Sequence, residues 1–170
     1  RLATALLERE ENVSSEREYF ELTHLDDTQM TDQEVRELPK VWAIGGDGAM
    51  GDIGFQNVSK VVLQNKPNVK MLMLDTQVYS NTGGQVSKST AQSAAVKFAS
   101  GGKQTAKKDM GQIAMMYENV YVASIAMGAN YKQSLDAIKE AEEYEGPSLL
   151  MAYSPCIDWG IDMSNMMGVQ

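Results

Sequence analysis

From residue 41 onwards, short apolar runs alternate with longer segments in which apolar residues recur at helical spacing. The apolar runs predict four strands, at 41–44, 69–74, 119–125 and 148–153. The run at 69–74 is nearly continuous, as in a parallel strand covered on both faces, and we also expect 41–44 to be buried. The intervening segments predict helices at 52–65, 90–99, 107–117 and 131–144. This alternation predicts right-handed crossovers and a doubly wound, mainly parallel α/β sheet.

Residues 1–40 differ in composition from the rest of the chain. They hold eleven of the 23 acidic residues and five of the 15 basic residues. Leu2, Leu6 and Leu7 lie at helical spacing and predict a helix, and the acidic run after them predicts a solvated connector. We therefore divide the chain into a helical and acidic connector at 1–40 and a binding domain at 41–170. Because the chain does not begin with Met, we expect it to be a piece of a longer protein.

Composition excludes several classes of function. The chain has one cysteine and one histidine, so neither an internal disulfide nor a complete zinc or iron–sulfur site can form within it. No apolar run reaches the ~18 residues of a membrane span, and no signal peptide is visible. The formal net charge of −8 argues against general nucleic-acid binding. Sparse cysteine use favours an intracellular setting.

The loop after the first predicted strand carries a glycine-rich motif. Gly46-x-Gly48-x-x-Gly51 matches the dinucleotide-binding fingerprint, and Asp75 lies at the end of the next predicted strand. In that fingerprint the main-chain amides meet the diphosphate directly. Asp47 would repel a diphosphate held in this way, whereas a divalent cation would reverse the sign of the interaction. Mg²⁺ takes oxygen ligands from one or two carboxylates and from phosphates, so Asp47 is a candidate magnesium ligand.

The loop after the second predicted strand supplies further oxygen atoms. It carries side-chain oxygens at Asp75, Thr76, Ser80 and Asn81. Thr76 follows Asp47 by 29 residues, the length of one helix and one strand, so we expect the two loops to adjoin at the ligand-binding edge of the sheet. Simpler interpretations stay open, because Asp47 also suits a helix N-cap and Thr or Asn side chains also stabilise turns.

Together the two loops resemble the thiamine diphosphate–Mg²⁺ motif, with Thr76 where many members of that superfamily carry Asn. That departure is typical of one family, and residues 41–160 are similar to the C-terminal thiamine-diphosphate-binding domain of pyruvate:ferredoxin (flavodoxin) oxidoreductases. The motifs that carry the resemblance are Gly46-Asp47-Gly48-x-x-x-Asp52-Ile53-Gly54, Asp75-Thr76-x-Val78-Tyr79-Ser80-Asn81-Thr82-Gly83-Gly84-Gln85-x-Ser87-Lys88-x-Thr90, Lys97-Phe98-Ala99, Gly102-Lys103, Lys107-Lys108-Asp109, Gly146-Pro147-Ser148 and Ala152-Tyr153-x-x-Cys156-Ile157.

The resemblance implies a set of cofactor-binding residues. Mg²⁺ would be ligated by the Asp47 carboxylate, the Thr76 hydroxyl and the Val78 main-chain carbonyl. Gly46 and Gly48 would let the main chain approach the diphosphate of the cofactor.

The resemblance also implies one catalytic residue and one cluster ligand. Asn81 would lie near the thiazolium ring and hydrogen-bond the bound 2-oxoacid or its adduct. Cys156 would be one thiolate ligand of a four-iron four-sulfur (4Fe-4S) cluster. The other cysteines of that cluster belong, in the family, to an earlier part of the chain.

The implied activity is the oxidative decarboxylation of pyruvate, with acetyl transfer to coenzyme A and electron transfer through iron–sulfur clusters to ferredoxin or flavodoxin. The chain would act with the remaining domains of the parent enzyme, expected to be a homo-oligomer in the cytoplasm, or in an anaerobic organelle if the source is eukaryotic. The carboxylate that activates the aminopyrimidine and the remaining cluster cysteines would lie outside this chain, so we expect negligible turnover from it alone.

Three alternatives stay open. A non-redox thiamine diphosphate enzyme, such as a decarboxylase or an acetolactate-type synthase, would not need Cys156 beside its pocket. A Rossmann dehydrogenase would use the glycine-rich loop for NAD. A docking domain that has lost cofactor binding would not need Asp47, Thr76 and Asn81 intact.

A basic stretch contrasts with the acidic chain. No acidic residue lies between Thr76 and Lys108. Such a stretch attracts anions, and the candidates here are the pyruvate carboxylate and the phosphates of coenzyme A. It could also bind a neighbouring domain, and the alternative is that it is a solvated surface. The lysines are Lys88, Lys97, Lys103, Lys107 and Lys108.

Overall fold

The computed structural model describes residues 32–170. The helix predicted around Leu2, Leu6 and Leu7 and most of the acidic connector lie outside the described residues. The chain divides into two units, Arg1–Pro39 and Lys40–Gln170. The first contains helix α1 (Asp32–Glu37), and the second contains the sheet. No helix within residues 32–170 is long and apolar enough to cross a membrane.

Strands and helices alternate in the second unit. The strands are β1 (Val41–Gly46), β2 (Val69–Asp75), β3 (Val78–Tyr79), β4 (Gln85–Val86), β5 (Tyr121–Ile125) and β6 (Ser148–Tyr153). A π-helix (Gly48–Ile53) follows β1, and the α-helices are α2 (Phe55–Gln64), α3 (Met110–Met115) and α4 (Tyr131–Glu143). Short 3₁₀ helices cover Ser80–Thr82, Ile157–Trp159 and Met163–Val169.

Four strands form one parallel sheet in the order β1-β2-β6-β5. Helices α2 and α3 pack on one face, around Met71 and Met73 of β2. Helix α4 packs on the other face, where Ala141 and Leu150 are fully buried. Helices therefore cover both faces, which confirms the predicted doubly wound, mainly parallel α/β sheet. The strands β3 and β4 form a separate antiparallel hairpin.

Strand β1 departs from the sequence prediction. It is an edge of the four-stranded sheet, and its side chains Val41 and Ile44 are 56% and 63% exposed. Residues 32–170 therefore leave this strand largely exposed, and the prediction that it is buried is wrong. The physical reason is that an edge strand has a neighbour on one side only, while α4 packs against β5 and β6.

The prediction of a helix at 90–99 is also wrong. Ser93 and Phe98 have φ angles of 68° and 66°, which lie outside the helical region. The segment forms turns whose main chain pairs with Lys103, since Ser93 N–H donates to the Lys103 carbonyl and Lys103 N–H donates to that of Ala94. These tertiary hydrogen bonds replace the helical ones that the composition favours.

Two other helices differ in their bounds. The helix predicted at 107–117 is shorter, because Asp109 caps α3 by accepting a hydrogen bond from Gln112 N–H. The helix ends at Met115, and its C-cap residue Met116 is 81% exposed. The helix predicted at 52–65 begins earlier, as the π-helix directly after Asp47, and is interrupted before α2.

A buried lysine stabilises the amino-terminal edge of the sheet. Lys70 is 0% exposed, and its ammonium donates to the carbonyls of Tyr144 and Gly146, both at 2.8 Å. Burial lowers the pKa of Lys70 to about 8, so it stays charged at neutral pH. The ammonium thereby holds the segment between α4 and β6.

Replacing Lys70 with Met should reduce the free energy of unfolding by about 2 kcal/mol, because the two carbonyls lose their shared donor. Lys60→Met, at an exposed position of α2, is the matched control and should change the free energy by less than about 0.5 kcal/mol. Urea unfolding of both variants measures the difference. Equal stabilities would show that the hydrogen bonds of Lys70 contribute nothing.

Candidate functional site

Three oxygen atoms from two loops converge where β1 and β2 end. Asp47 follows β1 directly, and Thr76 and Val78 lie just after β2. The two strands pair in parallel, with Gly46 opposite Leu74, so their loops adjoin. The Thr76 hydroxyl oxygen lies 2.9 Å from Asp47 Oδ1 and 2.9 Å from the Val78 carbonyl oxygen. The structure thus brings together the three candidate metal ligands of the sequence analysis.

The two 2.9 Å separations are hydrogen-bond distances from the Thr76 hydroxyl, and they are also compatible with neighbouring ligands of a small cation. Mg²⁺ binds oxygens at about 2.0–2.1 Å in near-octahedral geometry, which places neighbouring ligands about 2.9 Å apart. Ca²⁺ binds oxygens at about 2.3–2.6 Å, so neighbouring ligands in an octahedral shell would lie about 3.2–3.7 Å apart. All three donors are hard oxygen atoms, which bind Mg²⁺ more favourably than they bind metals that prefer thiolate or imidazole ligands.

Asp47 is almost completely buried, at 1% exposure. Burial raises the pKa of its carboxyl group, and the hydrogen bonds from Ser87 and Thr76 act in the opposite direction. Removing a carboxylate from water is costly unless a cation and hydrogen bonds compensate for it. A cation in contact with Oδ1 would supply that compensation.

Two serines of the loop after β4 hold the two aspartates that end β1 and β2. Ser87 Oγ donates to Asp47 Oδ2 at 2.6 Å, and Ser89 Oγ donates to Asp75 Oδ1 at 2.6 Å. The sequence analysis gave neither serine a role. The sequence feature that could have drawn attention to them is the Ser-x-Ser-Thr segment at 87–90. Only the path of the loop, however, shows that this segment folds back onto the aspartates.

Tyr79 packs against the glycine-rich loop. A Cβ atom at Gly48 would lie 2.2 Å from the nearest atom of the Tyr79 ring, whereas a Cβ atom at Gly46 would meet nothing within 4 Å. The Tyr79 hydroxyl donates to Asp52 Oδ2 at 2.8 Å. Burial and the hydrogen bond to this carboxylate raise the pKa of Tyr79 to about 12. Gly48 is therefore needed by the packing of Tyr79, and the diphosphate roles of Gly46 and Gly48 stay predictions.

The loop continues into two residues with contrasting environments. Ser80 Oγ is buried and has no hydrogen-bond partner within residues 32–170. Asn81, the next residue, is exposed in the 3₁₀ helix. A buried hydroxyl without a partner costs free energy unless a ligand pairs with it. Ser80, two residues after Val78, is therefore a candidate for pairing with a ligand.

Cys156 lies in the loop after β6, next to the Thr76 loop. Its thiol is free, 7% exposed and 3.5 Å from Asp158 Oδ2. Trp159, which the sequence analysis did not single out, donates from its indole N–H to the Thr76 carbonyl at 2.9 Å. Within residues 32–170 no three His, Cys, Asp or Glu residues are grouped to hold a metal ion. The described residues therefore do not fit a complete iron–sulfur site.

Three of the five lysines of the basic stretch form close contacts with acceptors of the chain itself, and a fourth, Lys88, forms a longer ion pair with Asp52 at 4.0 Å. Lys103 donates to three main-chain carbonyls and holds the loop at 88–106. Lys107 forms an ion pair with Asp75 at 2.5 Å, and Lys108 donates to a main-chain carbonyl at 2.8 Å. These three lysines therefore stabilise the loops around the site. The exposed lysines of the stretch are Lys88, Lys97 and Lys107.

Comparisons with known proteins identify the family of the chain. The profile of the family described as "Thiamine pyrophosphate enzyme, C-terminal TPP binding domain" matches residues 29–152. The chain is 56% identical over 124 residues to a pyruvate:ferredoxin oxidoreductase of Moorella thermoacetica, covering 73% of the chain and 10% of that protein. It is 57% identical over 127 residues to a pyruvate-flavodoxin oxidoreductase of Trichormus variabilis, covering 75% and 11%. The chain thus spans about a tenth of the length of these relatives.

A solved structure is also similar. It is the 2-oxoglutarate:ferredoxin oxidoreductase from Magnetococcus marinus, with 2-oxoglutarate, coenzyme A and succinyl-CoA bound. The TM-score is 0.63 at 25% sequence identity, and the match covers 73% of this chain and 42% of the other. The parallel sheet and its flanking helices therefore match the fold of that enzyme class.

Proposed function

The chain belongs to the thiamine pyrophosphate enzymes, as a C-terminal TPP-binding domain, and on that basis we propose that it holds Mg²⁺ and thiamine diphosphate in an enzyme that oxidatively decarboxylates pyruvate. The observation that carries the proposal is the Thr76 hydroxyl oxygen, 2.9 Å from an oxygen of Asp47 and 2.9 Å from that of Val78. Pyruvate is the proposed 2-oxoacid because the relatives are named as pyruvate oxidoreductases.

The residues at the site suit both the cation and the diphosphate. Asp47 Oδ1, Thr76 Oγ1 and the Val78 carbonyl would hold Mg²⁺, and diphosphate oxygens would complete its shell. The buried Ser80 hydroxyl needs an acceptor, which a diphosphate offers. The main chain at Gly46 is open to a ligand, since no atom of residues 32–170 other than those of its chain neighbours lies within 4 Å of a Cβ built there.

Thiamine diphosphate, when bound, supplies the carbon nucleophile and the electron sink for decarboxylation of a 2-oxoacid. The contribution of this chain is positional and electrostatic. Asp47 and Thr76 would hold the cation, whose charge would offset the repulsion between the buried carboxylate and the diphosphate. Asn81 is proposed as the catalytic residue that hydrogen-bonds the 2-oxoacid, because its exposed amide offers both a donor and an acceptor.

We assign Cys156 as one ligand of a 4Fe-4S cluster. A single thiol does not hold such a cluster, so the other ligands would come from the remaining domains of the longer enzyme. The hydrogen bond from Trp159 to the Thr76 carbonyl links the loop of Cys156 to the metal-binding loop. This link favours a redox enzyme over a non-redox decarboxylase or synthase, which would have no use for a thiolate near its cofactor.

The partners of the whole enzyme follow from the relatives. Ferredoxin or flavodoxin is the proposed electron acceptor and coenzyme A the proposed acyl acceptor. That the whole enzyme is a cytoplasmic homo-oligomer stays a prediction of the sequence resemblance. Because the chain spans about a tenth of these relatives, we expect no measurable pyruvate-dependent reduction of ferredoxin by this chain alone. An anaerobic absorbance assay of ferredoxin reduction measures this, and sustained reduction would contradict the need for the other domains.

Calorimetric titration of the chain tests the proposed function. We expect thiamine diphosphate to bind in the presence of Mg²⁺ and not in EDTA, and NAD not to bind under either condition. Binding of NAD alone would overturn the proposal in favour of a Rossmann dehydrogenase. Failure of both this chain and the longer enzyme to bind either ligand would overturn it in favour of a docking domain.

Replacing Gly46 with Ala should lower the affinity for thiamine diphosphate about tenfold without changing stability. The added methyl group meets no protein atom within 4 Å, so the free energy of unfolding should change by less than about 0.5 kcal/mol. The same methyl group would occupy the space that a closely approaching diphosphate needs, at a cost of about 1.4 kcal/mol in binding. Calorimetry and urea unfolding measure the two effects. Unchanged affinity would exclude a close approach of the cofactor to this glycine.

A further inference from the structure

Ser87 forms a hydrogen bond with Asp47 Oδ2. This is the carboxylate oxygen that does not belong to the cluster of Asp47 Oδ1, Thr76 Oγ1 and the Val78 carbonyl oxygen. The Ser87 hydroxyl donates to Asp47 Oδ2 at 2.6 Å, while Oδ1 faces the Thr76 hydroxyl. Ser87 is 3% exposed, and its N–H donates to Thr90 Oγ1 at 2.9 Å. The Thr90 hydroxyl in turn donates to the Gln77 carbonyl at 2.5 Å. The serine is therefore fixed by the loop before any ligand binds.

The use of one or both Asp47 oxygens affects which cation the site suits. Mg²⁺ requires six ligands in near-octahedral geometry, which a carboxylate meets with one oxygen. Ca²⁺ accepts six to eight ligands and readily takes both oxygens of a carboxylate. A buried hydrogen bond to a charged oxygen is strong, so the Ser87 hydroxyl competes with a metal ion for Oδ2.

We propose that Ser87 determines cation selectivity: by holding Asp47 Oδ2 it restricts the carboxylate to one metal-facing oxygen, which favours Mg²⁺ over Ca²⁺. Ser87 acts through Asp47 and is a positioning residue, not a ligand. The inference rests on the proposed function, since it requires the cation to contact Asp47 Oδ1. It goes further by naming the residue that sets which divalent cation the site prefers.

Ser89 provides a matched control. It lies two residues away in the same loop, is 6% exposed, and donates to a different carboxylate, Asp75 Oδ1, at the same distance of 2.6 Å. Ser87→Ala and Ser89→Ala therefore each remove one buried serine–carboxylate hydrogen bond from one loop, and Ser87→Ala also removes the oxygen that accepts from the Ser89 N–H at 3.2 Å. A purely structural effect should appear in both variants, whereas a change in cation preference should appear in Ser87→Ala alone.

The experiment measures the dissociation constants of Mg²⁺ and Ca²⁺ in the presence of thiamine diphosphate, by calorimetry on the full chain and on each variant. Cooperative urea unfolding first establishes that each protein is folded. In Ser87→Ala we expect the ratio of the Ca²⁺ to the Mg²⁺ dissociation constant to fall about tenfold, because residues that orient a metal ligand typically tune affinity by 10- to 100-fold. In Ser89→Ala we expect the ratio to stay within about twofold of the parent chain.

The alternative outcomes separate this inference from the proposed function. If the parent chain binds thiamine diphosphate with Mg²⁺ and Ser87→Ala keeps its cation ratio, the selectivity role of Ser87 is overturned and the proposed function stands. If both variants shift the ratio equally, loop packing is responsible and the inference is overturned. If the parent chain binds thiamine diphosphate without any divalent cation, the inference and the proposed function both fail.

Discussion

Replacing Asp47 with Asn is expected to weaken Mg²⁺-dependent binding of thiamine diphosphate by about a hundredfold or more. Asn has the shape of Asp, and its amide group can donate to Ser87 Oγ where the carboxylate accepted from it. What the substitution removes is the negative charge in contact with the cation, and losing one partner of a buried charge pair costs about 3–5 kcal/mol. Calorimetric titration with thiamine diphosphate and Mg²⁺ measures the loss.

The same variant should not lose stability in the absence of ligand. The Asp47 carboxylate is 1% exposed, and burial raises its pKa, which means that the fold disfavours the charged form. A neutral amide avoids this penalty, so the melting temperature of the ligand-free chain should be unchanged or higher. Asp109→Asn is the control, because it removes a charge at the start of α3 while Asn remains a good N-cap. Wild-type affinity in Asp47→Asn would contradict the ligand assignment.

Replacing Gly48 with Ala is expected to destabilise the chain by about 3 kcal/mol and to weaken cofactor binding. The new methyl group would overlap the Tyr79 ring, which has atoms at 2.2, 2.7 and 2.8 Å from the Cβ position. If the ring moves, its hydroxyl leaves Asp52, to which it now donates at 2.8 Å. Val78 adjoins Tyr79 in β3, so the displacement should also move a candidate metal ligand. Urea unfolding and calorimetry measure the two effects.

A double-mutant cycle identifies the cause. In the Tyr79→Ala background the ring is absent, so Gly48→Ala should cost less than about 0.5 kcal/mol. The Gly46→Ala variant provides a second comparison, because its methyl group enters open space two residues earlier in the same loop. An equal penalty for Gly48→Ala with and without the Tyr79 ring would show that the ring is not responsible.

Continuous apolar runs predicted the central strands well. Strand β6 covers 148–153 as expected, and β2 extends the predicted run at 69–74 by one residue. Burial of an edge strand could not be foreseen, because the pattern of β1 is the same whether or not another element covers it. The helix prediction at 90–99 failed for another reason. The composition of this segment favours a helix, but its main chain forms hydrogen bonds with Lys103, which lies outside the segment and so does not enter its periodicity.

Part of the candidate site also followed from the sequence. Asp47 and Thr76 end adjacent parallel strands, so their spacing alone predicted that they would adjoin. The supporting residues Ser87, Tyr79 and Trp159 reach the site through the paths of irregular loops. Local sequence does not determine those paths, and only the resemblance to a family drew attention to the segments that contain them.

Diffraction from crystals of the chain grown with thiamine diphosphate and Mn²⁺ tests the central claim most directly. Mn²⁺ replaces Mg²⁺ at oxygen sites and gives an anomalous signal that locates it. We predict one strong anomalous peak within about 2.0–2.3 Å of Asp47 Oδ1, Thr76 Oγ1 and the Val78 carbonyl oxygen, with the diphosphate bound to the same ion. A diphosphate held by main-chain amides alone, or a manganese peak that does not touch Asp47, would contradict the account.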